Sequence, residues 1–267
     1  MKRSGIALGD LSSRFFSFVQ LKGKSTIRIG ELGPVLNLSP MQERNLLSRL
    51  SDSGWIVRLK RGVYLVPDRL PAGGKYNPGT STILEKLMKE YGGKYQITGP
   101  NAFNFYGFDD QVPNRFYVYN NRISGERTVG SQTFQFIKTS DKRLGSIMNI
   151  KTAQGINLSY SSKARTLVDA VYDWSRFNSL PRGYSWIEAE IKTESGFVSE
   201  LVDATFKYGN QATIRRIGYS LELKRQQEKI VDPLLGKLSI SKALIPWIPS
   251  KESRGSVNRK WGLLING

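Results

Sequence analysis

The chain has no cysteine and no histidine among its 267 residues. Without cysteine there are no disulfides and no thiol chemistry, which fits a reducing cytosol. Without histidine the commonest general base and the commonest zinc ligand are both missing. Ser-His-Asp and Cys-His nucleophile arrangements are therefore excluded. No apolar run approaches the roughly 18 residues that a membrane span needs. The basic start is not followed by the apolar stretch of a secretory signal. Phosphate loops of the forms G-x-x-x-x-G-K-[ST] and G-x-G-x-x-G do not occur. These absences lead us to expect a cytoplasmic protein that is not an enzyme, holds no metal or cofactor, and does not touch membrane. Acidic residues are also scarce, with 22 Asp and Glu against 40 Lys and Arg, a net charge of +18. A balance this basic points to a polyanionic partner.

The excess is densest near the start. Residues 1–67 hold 11 Lys and Arg against 4 Asp and Glu, a net +7, and the other 200 residues carry the remaining +11. This first part reads as three short helices and a hairpin. Residues 11–21, after Asp10, place Leu11, Phe15, Phe18 and Val19 at helical spacing. Ile27, Ile29, Leu32 and Val35 predict a second helix over 28–36. Ser39-Pro40-Met41-Gln42 is a helix start with a capping box, proline at the first helical position, and Gly54 as the stop. That third helix buries Leu46, Leu47 and Leu50 and turns Met41, Arg44, Asn45, Ser48 and, at the edge, Arg49 outward. Arg suits guanine O6 and N7, and Asn suits adenine N6 and N7. Two β-rich runs then flank Lys60-Arg61-Gly62, where Gly62 supplies the positive φ of a tight hairpin. Arg58, Lys60 and Arg61 give this hairpin a cationic tip. Three helices and a basic hairpin in this order predict a winged helix-turn-helix over 1–67, with Arg44, Asn45, Ser48 and Arg49 toward a major groove. Arg58, Lys60 and Arg61 would meet backbone or minor groove.

Residues 68–80 are rich in Pro and Gly and predict a linker. Residues 81–267 then form the second domain. Helices are predicted over 81–91, 101–106, 162–174, 196–208 and 210–226, with strands at 95–98, 116–119, 133–137 and 155–160. Strands followed by helices argue an α+β class. The tail, 251–267, reads as basic and irregular until Trp261-Gly-Leu-Leu-Ile265.

Three fragments invite a chemical reading. Glu190-Ile191-Lys192 has the E-x-K form of metal-dependent nucleases. Such a site needs an Asp from a preceding strand, whereas Asp169 and Asp173 fall in a predicted helix. Arg215-Arg216 would either meet phosphate or cover a solvated helix face. Phe103, Phe105 and Tyr106 cluster closely enough to stack bases, although the aromatics otherwise sit at core spacings.

Five segments, in order, resemble the AbiEi-type antitoxins of AbiE type IV toxin–antitoxin systems. Arg61-Gly62-Val63-Tyr64-Leu65-Val66-Pro67 is similar to the family's wing motif, and Thr98-Gly99-Pro100-Asn101-Ala102, continuing to Gly107-Phe108, to its T-G-x-x-A…G-L segment. Ser162-Lys163-Ala164-Arg165-Thr166-Leu167-Val168-Asp169 resembles S-P-E-R-T-L-L-D, with Ala164 where the family often has Glu. Arg215-Arg216-Ile217-Gly218-Tyr219 matches R-R-L-G-Y, and Gly255 to Asn266 the G…R-W-G-L…N ending. The resemblance implies a winged domain that represses its own operon by binding inverted repeats in double-stranded DNA at its promoter. It also implies a second domain that neutralises a nucleotidyltransferase-type toxin in abortive phage defence, without a stable complex. The chain is expected to be a monomer in solution, two of which fill an inverted repeat cooperatively, with a dimer formed through the second domain as the alternative. A regulator whose second domain binds a small ligand or a partner protein is the competing expectation, and a nuclease the remote one.

Overall fold

The computed structural model describes residues 9–71, 74–153, 155–193, 196–224, 228–239 and 243–267. Residues 72 and 73 of the expected linker, and 225 and 226 at the end of the helix expected over 210–226, lie outside the described residues. The chain gathers into two units. One takes the residues up to Gly93 together with Glu126–Phe134 and Thr152–Ile156, and the other takes the rest.

The first unit opens with helix α1 (Asp10–Leu21), which buries Phe15, Phe16 and Val19. Strand β1 (Thr26–Arg28) and the short helix α2 (Gly33–Leu36) follow. The helix predicted over 28–36 is thus a strand end, a turn and one helical turn. Ile27 and Ile29 are two apart, the period of a strand. Ile27 is fully buried opposite Tyr64, and Gly30 takes φ +101 at the turn. Buried Glu43 holds that turn by accepting the Gly30 and Leu32 backbone N–H groups, both at 2.9 Å.

Helix α3 (Pro40–Asp52) starts as its sequence requires. The Ser39 hydroxyl accepts the Gln42 N–H and the Gln42 side chain accepts the Ser39 N–H. Strands β2 (Val57–Lys60) and β3 (Val63–Leu65) form the hairpin, turned at Gly62 with φ +76. With β1 they make an antiparallel sheet in the order β1-β3-β2. Phe15, Leu32, Leu46, Leu47, Trp55 and Tyr64 share one core. The Pro/Gly-rich stretch leads into helix α4 (Thr80–Tyr91), which belongs to the same unit.

The second unit begins with β4 (Tyr95–Ile97), α5 (Pro100–Phe105) and β5 (Phe116–Asn120). The chain next makes β6 (Gly125–Val129) and β7 (Gln132–Lys138), whose near ends return to the first unit. There the Thr128 and Thr133 hydroxyls lie 3.3 Å apart across the hairpin. A 3-10 turn (Asp141–Arg143), β8 (Ile147–Lys151) and β9 (Asn157–Ser161) complete a sheet whose order within the second unit is β7-β5-β4-β9-β8. β4 runs parallel to β9 and antiparallel to β5. The remaining helices are α6 (Lys163–Tyr172), α7 (Trp174–Phe177), α8 (Arg182–Thr193), α9 (Phe197–Tyr208), α10 (Gln211–Leu223) and α11 (Glu228–Gly236). Strands β10 (Ile245–Pro246), β11 (Ser256–Asn258) and β12 (Leu263–Ile265) close the chain. The mixed α+β class is as expected. The tail is more regular than its sequence predicts, because β12 pairs with both β10 and β11.

The motif-bearing segments at Thr98, 162–169, 215–219 and Trp261 build interior structure. Asp169, fully buried, accepts the Arg165 Nε at 2.8 Å and an Arg143 Nη at 3.1 Å. Its second oxygen accepts the Thr98 hydroxyl at 3.1 Å and the Ser161 hydroxyl at 3.3 Å. Arg165 spends its other donors on the Gly145 and Arg143 carbonyls and faces the Tyr208 ring at 4.1 Å. A buried charge is tolerated only when so surrounded. Gly218 of α10 leaves room for the buried Trp261 ring, which a Cβ there would overlap. The Trp261 indole N–H donates to Glu222 at 2.8 Å.

Candidate nucleic-acid interface

The apolar residues of α3 face the core and leave Met41, Arg44, Asn45, Ser48 and Arg49 exposed. Each buried leucine on such a face is worth about 1.5–3 kcal/mol, so the helix is anchored on one side and its other side is free to read. Between that free side and the hairpin lies a concavity of about 530 Å³. Arg44, Asn45 and Ser48 line it from the helix, and Arg58, Arg61 and Tyr64 line it from the hairpin, with Ile29 and Met41 supplying apolar wall.

Five of the seven residues singled out from sequence therefore meet in one place: Arg44, Asn45, Ser48, Arg58 and Arg61. Arg49 is exposed on the same helix and does not line the concavity. Lys60 is turned away. Its Nζ sits 3.3 Å from a Glu90 carboxylate oxygen, donates to the Glu90 carbonyl at 3.2 Å, and stands 4.8 Å from the Tyr91 ring centre. The ladder shifts register between Arg58 and Lys60, and the Glu90 carboxylate and carbonyl hold the Lys60 ammonium away from the concavity.

The charges divide the same way. Arg28 and Lys60 share Glu90, whose side chain is only 9% exposed. Among the described residues Arg44, Arg49, Arg58 and Arg61 have no carboxylate partner, which leaves four guanidinium groups available to an incoming anion. The Ser48 hydroxyl donates to Asp52 at 3.3 Å, so it faces the concavity as an acceptor. Glu43, Glu90 and the register shift are the contributors that sequence reasoning missed. The capping-box position next to Glu43 was the one available signal, and it pointed to helix start rather than to turn locking.

The other chemical fragments resolve differently. Glu190 lies on α8 and pairs with Lys163 at 3.1 Å, whereas Lys192 pairs with Glu188 at 3.0 Å. Residues two apart on a helix point to different sides, so the ends of this E-x-K do not converge. Hydrogen bonds from Lys224 and then Lys192 lower the Glu188 pKa. Among the described residues no group of three Asp or Glu could hold a metal ion. Arg215 and Arg216 are buried, contrary to both readings of them, and donate to the carbonyls of Ala243 and Pro246. Phe103 is core, while Phe105 is partly exposed against Tyr106 and Tyr160. No helix among the described residues is long and apolar enough to cross a membrane.

Residues 18–67 match the model of a family described as transcriptional regulator, AbiEi antitoxin. The resemblance seen in the sequence is thus borne out over the segment that carries the concavity. No curated protein matches the chain in sequence. Among solved structures, the RV2827C protein from Mycobacterium tuberculosis is similar in fold, with a TM-score of 0.58 at 13% identity, covering 96% of this chain and 92% of that one.

Proposed function

We propose that residues 10–67 are a winged helix-turn-helix through which the chain binds double-stranded DNA and represses its own promoter. In this reading the remainder works as an antitoxin against a nucleotidyltransferase-type toxin. The observation that carries the DNA half is the concavity of unpaired arginines between α3 and the hairpin, inside the segment matched to a regulator family. α3 would enter the major groove, where Arg44 can bridge guanine and Asn45 adenine, each good base contact being worth about 1–3 kcal/mol. Arg58 and Arg61 would take phosphates on the flank. Lys60, held by Glu90, would fix the hairpin at its angle. The antitoxin half rests on the family likeness. Neutralisation without a stable complex predicts that co-expression rescues growth from the toxin while the two proteins fail to copurify.

The experiment for the DNA half is fluorescence anisotropy of the full chain on its own upstream duplex and on a scrambled one, from about 50 to 300 mM salt. Tighter binding to the native duplex that persists at the higher salt is the expected result. Equal binding to both duplexes that collapses with salt would leave only a polyanion attractant and end the repressor reading.

A further inference from the structure

A second cavity of about 580 Å³ lies within the first unit. That volume is in the range of small-molecule sites, roughly 300–1,000 Å³. It is a depression open at the surface, with Lys75, Asn77 and Thr128 exposed at its rim, so a ligand can enter from solvent. Its wall is apolar at Ile56, Val57 and the Tyr76 ring and polar at Asn77, Thr128 and Ser131. Two cations, Arg58 and Lys75, stand at its edge, and neither has a carboxylate partner among the described residues. The end of α3 at Ser51 and Gly54 also borders it. A helix C-terminus carries only about half a negative charge, and the Asp68 charge also reaches the wall at Tyr76, so two full cations leave a small positive excess. The Tyr76 hydroxyl makes no hydrogen bond among the described residues. Burial and then the Asp68 charge push its pKa up to about 12.

We infer that this cavity is a binding site for a small organic anion with an apolar, aromatic-sized body, and that its occupant competes with DNA for Arg58. The chemistry is that of an aromatic carboxylate or sulfonate: the body meets Ile56, Val57 and Tyr76, and the anion meets Arg58 and Lys75. Competition follows because Arg58 lines both this cavity and the concavity beside α3. The competition rests on the DNA-binding reading, and the ligand site does not.

The test uses the full chain and the dye anilinonaphthalene sulfonate, an anion of this kind, followed by its fluorescence. One saturable site is expected. Lys75→Glu removes the cation, and Thr128→Trp fills the mouth from an exposed strand position that tolerates aromatics. Each is expected to weaken dye binding about tenfold or more, Lys75→Glu through the lost charge-assisted contact and Thr128→Trp by occupying the space, with the melting temperature unchanged. Dye binding that never saturates, or that both variants leave unchanged, overturns the site. In the second arm saturating dye is expected to weaken binding to the native duplex about tenfold in the wild type and not in Thr128→Trp. Saturable dye with unaltered DNA affinity overturns the competition. A protein that binds neither duplex selectively refutes the DNA reading, and the dye arm alone then decides the site.

Discussion

Asp169 and Arg165 are four apart on α6, a spacing that on paper looks like an exposed helix pair worth a few tenths of a kcal/mol. Both are instead fully buried. That could not be read locally, because Thr98 and Gly145, which help surround them, come from distant parts of the chain. Asp169→Asn strands a buried guanidinium and is expected to cost about 3–5 kcal/mol in urea unfolding. The paired change Arg165→Met with Asp169→Leu should recover only part of it, because Arg143 and the Thr98 and Ser161 hydroxyls lose the same carboxylate. A silent single change would refute the buried pair. Gly218 is a similar case. A glycine inside a helix reads from sequence as a mere liability, and its purpose is supplied by Trp261. Gly218→Ala should cost about 1–3 kcal/mol from overpacking, and less when Trp261→Leu is also made.

Local chemistry was most readable in whole elements with strong ends. The box at Ser39 and Gln42, with Pro40 and the stop at Gly54, defined α3 to within a residue. Ser39→Ala is expected to lower stability by about 1 kcal/mol, seen as a shift in the denaturant midpoint. The sequence did not reveal β1, because three residues pair only by virtue of β3 far along the chain. β6 and β8 went unseen because they are largely exposed and lack the alternation that marks a half-buried strand. The hairpin was legible and its aim was not: Glu90, thirty residues on, decides where Lys60 goes. Glu90→Gln should release Lys60 and Arg28 toward DNA. Its expected signature is tighter binding to scrambled duplex and a salt slope steeper by about two.

For the molecule as a whole, the net charge of +18 ensures some attraction to any nucleic acid, so affinity alone proves little. The pattern across variants is what discriminates. Arg58→Ala with Arg61→Ala should weaken binding to native and scrambled duplexes alike and flatten the salt slope by about two, while Arg44→Ala should erode the preference between them. An identical response from both variants in anisotropy would remove the division of labour between hairpin and helix.

The first unit is assembled from three separated stretches of chain, the last two being Glu126–Phe134 and Thr152–Ile156. Some of its ties cross those gaps: Asn77 to Ser131, Thr80 to Gln132, and Tyr91 to Arg127. In genetic terms it is not a cassette. No single cut delivers it whole, and a recombination that traded the first 93 residues for another segment would leave two orphaned strips behind in the recipient. Such a protein carries both of its units through descent as one locus.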